Sequence, residues 1–393
     1  MIFTFLRLIV EFTTCLYGEL LLILHFIFHT MIVGFYHDMI LAGWLTALVL
    51  GICLLFCRVP NRPVYRSYLR SRRILGSAYL IFAVCIAQFT FFNLRETAPN
   101  IAVALPLSYY YLEGILFGMS FSSLLDRTYI SRRQLRRDFG GYTVFLVIAW
   151  GGALFAEGNT RLVLLITASV LFFVMASGIA IRFLRIYSRA VNRINDYYSD
   201  NVEVFVKWLH KSTYWIIFFG LCGSVLSFSP PWGNTIFMLC GIVMFIYIFN
   251  SFQNYILNFE YVEKVVTDIV DEEQHDPASD NNDVALRLSV MKWVEDGGYR
   301  QPGVTLDKLA ASVGSNRSYV SSFINNEFQC NFREWINSLR MDYAKKALAE
   351  SSDTTIEKIA TDAGFSSSAY FCRQFSKREG LTPSKWRETK RQG

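Results

Sequence analysis

The sequence predicts an all-α protein in two parts. A polytopic α-helical membrane domain of about seven spans is followed by a small all-helical tail carrying a double helix-turn-helix on the cytoplasmic side. Three observations predict this. Seven stretches are apolar over roughly the length needed to cross a bilayer, positive charge alternates strictly between the loops joining them, and the polar tail contains one motif twice.

The averages of 53% hydrophobic residues and a net charge of +6 hide three zones. Residues 1–259 carry 20 Lys and Arg against 11 acids; residues 260–283 carry one Lys against nine acids; residues 284–393 carry 17 against 12. The eight cysteines include no pair with the two-residue gap of a zinc or redox motif, so reduced thiols acting as small hydrophobes are expected, with no metal and no cofactor. No small-residue cleavage site follows an early apolar core, so no cleavable signal peptide is expected.

A helix needs about 20 apolar residues to span hydrocarbon, where its backbone groups find no water. The stretches 39–57, 75–93, 101–125, 142–156, 162–184, 213–229 and 232–250 define a membrane domain over 39–250. Loops 58–74, 126–141 and 182–212 hold six, five and six Lys and Arg, whereas the intervening loops hold only Arg95 and Arg161. That asymmetry puts residue 39 outside and everything beyond residue 250 in the cytoplasm. Residues 1–38 stay open: 21–36 reads as an eighth span, or Met31 or Met39 is the true start. His25 and His29 have metal-ligand spacing on a helix but no third ligand, which favours two interfacial histidines.

Glu113 lies near the middle of the third span, where a carboxylate is costly. Either it belongs to a signal-sensing site with Tyr109, Tyr110 or Gln88, or it is a neutral group hydrogen-bonded for packing. From the last span onward Ile248, Phe252, Tyr255, Phe259, Val262, Val266 and Ile269 repeat at alternating spacings of 4 and 3. This is a heptad seam. Residues 251–270 thus form a parallel dimer helix with a second copy, or one amphipathic helix lying on its own domain. Residues 271–283 are acidic and aperiodic and read as a flexible linker.

In the tail, 284–393, "LDKLAASVG" (306–314) aligns with "IEKIATDAG" (356–364) at an offset of 50, ending on Gly314 and Gly364. The match resumes at an offset of 51 with Tyr319 and Tyr370, Val320 and Phe371, Ile324 and Phe375, and Trp335 and Trp386. Each copy is a helix, a glycine turn and a second amphipathic helix, which is the recipe of a helix-turn-helix. The motifs fall at about 305–327 and 355–378, with a connecting helix at about 333–349.

"IATDAGFSSSAYFCRQFSKREGLTPSKWRE" and "NFREWINSLRMDYAKKAL" resemble the second motif and the connecting helix of the AraC/XylS family of bacterial transcription regulators. The resemblance covers about 100 of 393 residues. It implies an all-helical DNA-binding domain whose two recognition helices enter successive major-groove faces of double-stranded DNA, with RNA polymerase as a further partner. A connecting helix over 333–349 would span roughly 25 Å, toward the one-turn spacing of about 34 Å.

In the second reader Phe371 and Phe375 mark the buried stripe. The opposite face carries Ser366, Ala369, Arg373 and Lys377, with Tyr370 beside it and Ser367 at the helix start. Arg373 suits a guanine contact, and Lys377 and Tyr370 suit phosphate. Ser366 and Ser367 are caps or phosphate contacts. The first reader offers Arg317, Ser318, Ser321, Ser322 and Asn325; Ser322 takes the slot of Arg373, so weaker binding is expected there. Gln329 stands where the second copy has Gly380, which puts the turn geometry in question.

Together these features predict no enzyme, but a multi-pass regulator of the bacterial cytoplasmic membrane that couples an unidentified signal to gene expression. The alternative is a seven-span receptor or transport-like protein whose tail binds a protein partner.

Overall fold

The computed structural model describes residues 34–60, 62–92, 94–226, 231–264, 283–350 and 353–392. The expectations for residues 1–33, for the linker over 271–282 and for Val266 and Ile269 lie outside the described residues. Among the described residues all regular structure is helical, apart from one isolated bridge between Tyr198 and Thr305. The chain divides into two compact units, Met1–Leu184 with Trp208–Ile256, and Arg185–Lys207 with Leu257–Gly393.

The first unit is built from α1 (Gly34–Phe56), α2 (Arg66–Phe92), α3 (Ile101–Leu125), α4 (Arg132–Phe155), α5 (Gly158–Tyr197), α6 (Lys207–Leu226) and α7 (Pro231–Tyr255). All but α6 belong to the six helical segments that are long and apolar enough to cross a membrane by length and composition. Lys207, His210 and Lys211 occupy the first turns of α6 and shorten its apolar run. Tyr111 of α3, Phe145 of α4 and Phe172 of α5 meet in one buried cluster. The opposite faces stay apolar as well: Val144, Val147, Val163 and Val170 are all more than half exposed.

Several buried polar groups inside this unit are paired across helices. Ser71 and Ser120 join α2 to α3 with hydroxyl oxygens 2.8 Å apart. Arg72, 3% exposed, donates to the Leu54 and Cys57 carbonyls at the end of α1, where helical carbonyls lack partners of their own. Asp138, buried on α4, accepts from Arg182 at 2.7 Å.

The heptad stripe is covered by its own chain. Phe252 is fully buried, its ring 4.9 Å from Tyr68 and 6.0 Å from Trp208. Ile248, Tyr255, Phe259 and Val262 are also buried, so no described member of the seam is exposed to a second copy. Nor is the helix continuous: a 3-10 turn, Ile256–Asn258, interrupts it before residues 259–264. Of the two sequence readings, the amphipathic helix lying on its own domain fits these residues. The physical reason is that aromatic residues at heptad spacing bury as well against a neighbouring helix as against a copy.

The second unit contains α8 (Asp283–Glu295), α9 (Leu306–Ser312), α10 (Arg317–Phe328), α11 (Phe332–Glu350), α12 (Ile356–Asp362), α13 (Ser368–Glu379) and α14 (Pro383–Gln392). It also includes residues 185–207, the last turns of α5 and a 3-10 turn at Val202–Phe205. Met341, Ala344 and Leu348 of α11 pack with Ile359, Phe365, Phe371 and Phe375 in one core.

Candidate nucleic-acid interface

Local chemistry sets each helix of the repeated motif. Thr305 and Thr355 cap α9 and α12 by accepting from the backbone N–H groups of Lys308 and Lys358. Asn316 and Ser367 do the same for α10 and α13, accepting from Tyr319 and Tyr370. Each such cap is worth about 1 kcal/mol. The turns run through Gly314 at φ +66° and Gly364 at φ +90°. At Gly364 a Cβ would lie 2.4 Å from the Arg300 carbonyl oxygen, so glycine is required there for close approach as well as for backbone angle.

Val320 and Ile324 of α10, and Phe371 and Phe375 of α13, are fully buried. Their burial turns the other face of each helix outward. Ser318, Ser322 and Asn325 are exposed on α10, with Ser321 half-buried; Ser366, Ser367, Ala369, Arg373 and Lys377 are exposed on or beside α13. Helix α11 has 19 residues and a length of about 28 Å, long enough to hold the two readers well apart. Lys345 and Arg378 clip α13 to α11 through Glu379 at 2.9 Å and Asp342 at 3.0 Å.

Two expected contacts need correction. Tyr370 does not sit beside the exposed face: it is buried, and its hydroxyl accepts from Arg333 Nη2 at 3.0 Å and from Asn337 Nδ2 at 3.3 Å. With its polar tip satisfied inside, the ring joins the core. Arg317 is drawn inward too, its guanidinium 3.7 Å from Asp307 and over the Tyr197 ring.

Gln329 answers the question of the turn. It takes the left-handed conformation, φ +54° and ψ +33°, that Gly380 takes at φ +74° and ψ −6°. Its side chain donates to the Asn326 carbonyl at 2.8 Å, which offsets part of the cost of a Cβ in that region. The turn survives without glycine.

Sequence reading missed the grip of residues 195–203 on this domain. Arg333 on α11 donates to Asn195 Oδ1 at 2.7 Å and Asn201 Oδ1 at 2.9 Å, and pairs with Glu203 at 3.1 Å. Arg340, 1% exposed, donates to the carbonyls of Tyr299 and Gln301 and lies 3.6 Å from Asp200. The Ser199 hydroxyl donates to the Val304 carbonyl at 2.6 Å, and Tyr197 to Asp307. Burial pushes the Glu203 carboxyl up, but Lys207, Arg333 and Asn195 outweigh it and hold the group below its ordinary range. For Arg340, burial pulls the guanidinium pKa down and Asp200 opposes. A signal was present in the sequence: Arg333 and Arg340 fall on the same stripe of α11 as Ile336 and Ala344, where solvated charges do not belong.

A cleft of about 1070 Å³ is lined by Ser366, Ser367 and Arg373 together with Asp200, Phe205 and Tyr261. In the first unit, Gln88 donates to Tyr109 at 3.4 Å, while Glu113 and Tyr110 line a different feature, a small cavity. Among the described residues no group of three or more metal-ligating side chains occurs.

Two glycine-turned helix pairs, joined by one long helix and each presenting a capped helix outward, define a double helix-turn-helix. The helix-turn-helix domain family matches residues 309–389. The probable transcription factor PqrA of Proteus vulgaris is 33% identical over 99 residues, 25% of this chain and 80% of that protein. YtdP of Bacillus subtilis, an uncharacterized regulator of helix-turn-helix type, is 38% identical over 88 residues, but these are 11% of its length. The virulence regulon activator VirF of Yersinia enterocolitica is 33% identical over 101 residues, 36% of its length. Among solved structures, the C-terminal domain of the response regulator yesN from Fusobacterium nucleatum is 25% identical, with 26% of this chain and 96% of that one covered at a TM-score of 0.24. The chain belongs, through its C-terminal region, to the AraC-type helix-turn-helix family.

Proposed function

We propose that the protein is a transcription regulator anchored in the bacterial cytoplasmic membrane, and that residues 195–203 hold its DNA-reading domain. The observation that carries this reading is one chain with six helical segments long and apolar enough to cross a bilayer and an AraC-type double helix-turn-helix. Exposed Arg373, Lys377, Ser366 and Ser367 supply the base and phosphate contacts of the second reader, and Ser318, Ser321, Ser322 and Asn325 the weaker contacts of the first. Positive charge on alternate loops favours a cytoplasmic tail, in the compartment of the chromosome.

Regulation acts through the grip on Arg333 and Arg340. A recognition helix enters a groove about 12 Å wide, with phosphates on both rims. The cleft that Arg373 lines is far smaller than a turn of duplex, and Asp200 and Tyr261 line it as well. DNA and residues 200–205 therefore compete for the space before α13. A signal that withdraws residues 195–203 frees the reader.

The intact protein in lipid nanodiscs, mixed with genomic fragments at several salt concentrations, tests the reading. Sequence-selective binding that falls steeply with salt is expected. Salt-insensitive capture of a protein by the tail, with no fragment retained, would replace this reading with that of a membrane receptor.

A further inference from the structure

The wall of one cavity in the first unit is chemically odd. It is lined by Tyr110, Phe117, Phe219, Phe237 and Phe245, and Glu113 is the one carboxylic acid among its described lining residues. The cavity measures about 50 Å³, and a second of about 60 Å³ shares Tyr110, Phe117 and Gly220 with it. Glu113 is 8% exposed, and its Oε1 has no hydrogen-bond partner among the described residues. The aromatic rings fall into two contacting groups: Phe117 and Phe245 have centroids 6.2 Å apart, and Phe237 lies 5.1 Å from Phe219 and 6.5 Å from Tyr110.

We propose that this cavity binds a small lipophilic organic cation, its ammonium group against Glu113 and its apolar body among the rings. Three constraints select that class. An anion would meet a carboxyl and no cation, since among the described residues no Lys, Arg or His lines the cavity. An uncharged apolar molecule would fill the space and leave Oε1 unsatisfied, which is costly in an apolar site. A cation with an apolar surface satisfies the carboxylate and meets the negative faces of the rings, an attraction that grows when both are desolvated. Near Gly114, which lines the adjoining cavity, an added Cβ would meet nothing within 4 Å, so room remains for the body of such a ligand.

The proposal names the signal for the regulator described above and so rests on that reading. Its test is kept free of DNA, so the two fail separately. The intact protein in nanodiscs is titrated with tert-butylammonium, small enough for the two cavities together, and with tert-butanol, its uncharged isostere, and binding is read calorimetrically. Saturable binding of the cation is expected, at least tenfold weaker for the isostere and at least tenfold weaker in Glu113→Gln. Glu113→Asp, which keeps the charge, retains part of the affinity, and the thermal midpoint of each variant checks that it is folded. Gly114→Leu, filling the adjoining cavity, weakens binding with Glu113 intact. Equal binding of cation and isostere, unchanged binding in Glu113→Gln, or no saturable binding would each overturn the proposal and leave Glu113 as a packing or proton-binding group.

Discussion

Arg333 and Tyr370 meet at 3.0 Å, guanidinium nitrogen to phenol oxygen, and tie the connecting helix to the second reader. The same guanidinium is held by Asn195, Asn201 and Glu203. One side chain thus contacts both the DNA-reading motif and the segment that is proposed to restrain it. Replacing Asn201 with Ala removes one charge-assisted hydrogen bond from the restraint and leaves Tyr370 in place. Such a bond contributes about 1.5 kcal/mol, or roughly tenfold in an equilibrium. The intact Asn201→Ala protein should therefore bind its DNA up to about tenfold more tightly, read by fluorescence anisotropy on a labelled duplex. Unchanged or weaker binding would mean that residues 195–203 support the reader and do not restrain it.

Arg373 and Lys377 share the exposed face of α13 and should fail differently. Loss of a bidentate base contact costs about 1–3 kcal/mol and relaxes selection at one position. Arg373→Ala is expected to weaken the specific site by that amount while leaving random duplex nearly unaffected. Lys377→Ala should weaken both alike and lower the salt slope by about one. Equal loss on all sequences for Arg373→Ala would reduce it to a phosphate contact.

The two ends of the repeated motif offer a matched pair. Gln329 and Gly380 hold the same left-handed backbone, which costs a residue with a Cβ about 1 kcal/mol. Gln329→Gly gives up the bond to Asn326 but relieves that strain, for an expected net gain of about 0.5 kcal/mol. Gly380→Ala should destabilise by about 1 kcal/mol. Hydrogen exchange of the α10 and α13 amides in the intact chain, slower in the first variant and faster in the second, checks both signs.

How much of this was legible beforehand follows from the kind of interaction involved. The caps, glycine turns and buried pairs of the tail were readable because each is local: Thr305 and Thr355 act within three residues, and Val320 and Ile324 declare themselves by spacing. The fate of the heptad stripe was not, because spacing shows that a face is buried without showing what buries it. Phe252 could meet a copy or Tyr68, and it meets Tyr68. Tyr370 was misplaced because its partner Arg333 lies 37 residues away. The grip of Asn195, Asn201 and Glu203 joins residues more than 100 positions apart in sequence, beyond the reach of any local pattern.

Acid should loosen that grip in a definite direction. Burial raises the Glu203 carboxyl, but Lys207, Arg333 and Asn195 lower it further, and its pKa in the folded chain lies below the ordinary 4.5. A group depressed by folding contributes stability that is complete above its unfolded pKa and is lost as pH falls through its folded one. The contribution is therefore constant between pH 5 and 8 and declines below about pH 4.5. Side-chain exposure of 19% for Glu203 and 11% for Arg333 limits solvent screening, so about 1 kcal/mol is at stake. The thermal midpoint of the intact protein, scanned from pH 7 to pH 3.5, should fall less steeply below pH 4.5 in Glu203→Gln than in the parent chain. Because other carboxylates titrate in the same range, the difference between the two curves carries the result. Parallel curves would show that Glu203 makes the same interactions in the unfolded chain and adds nothing to the docking of residues 195–203.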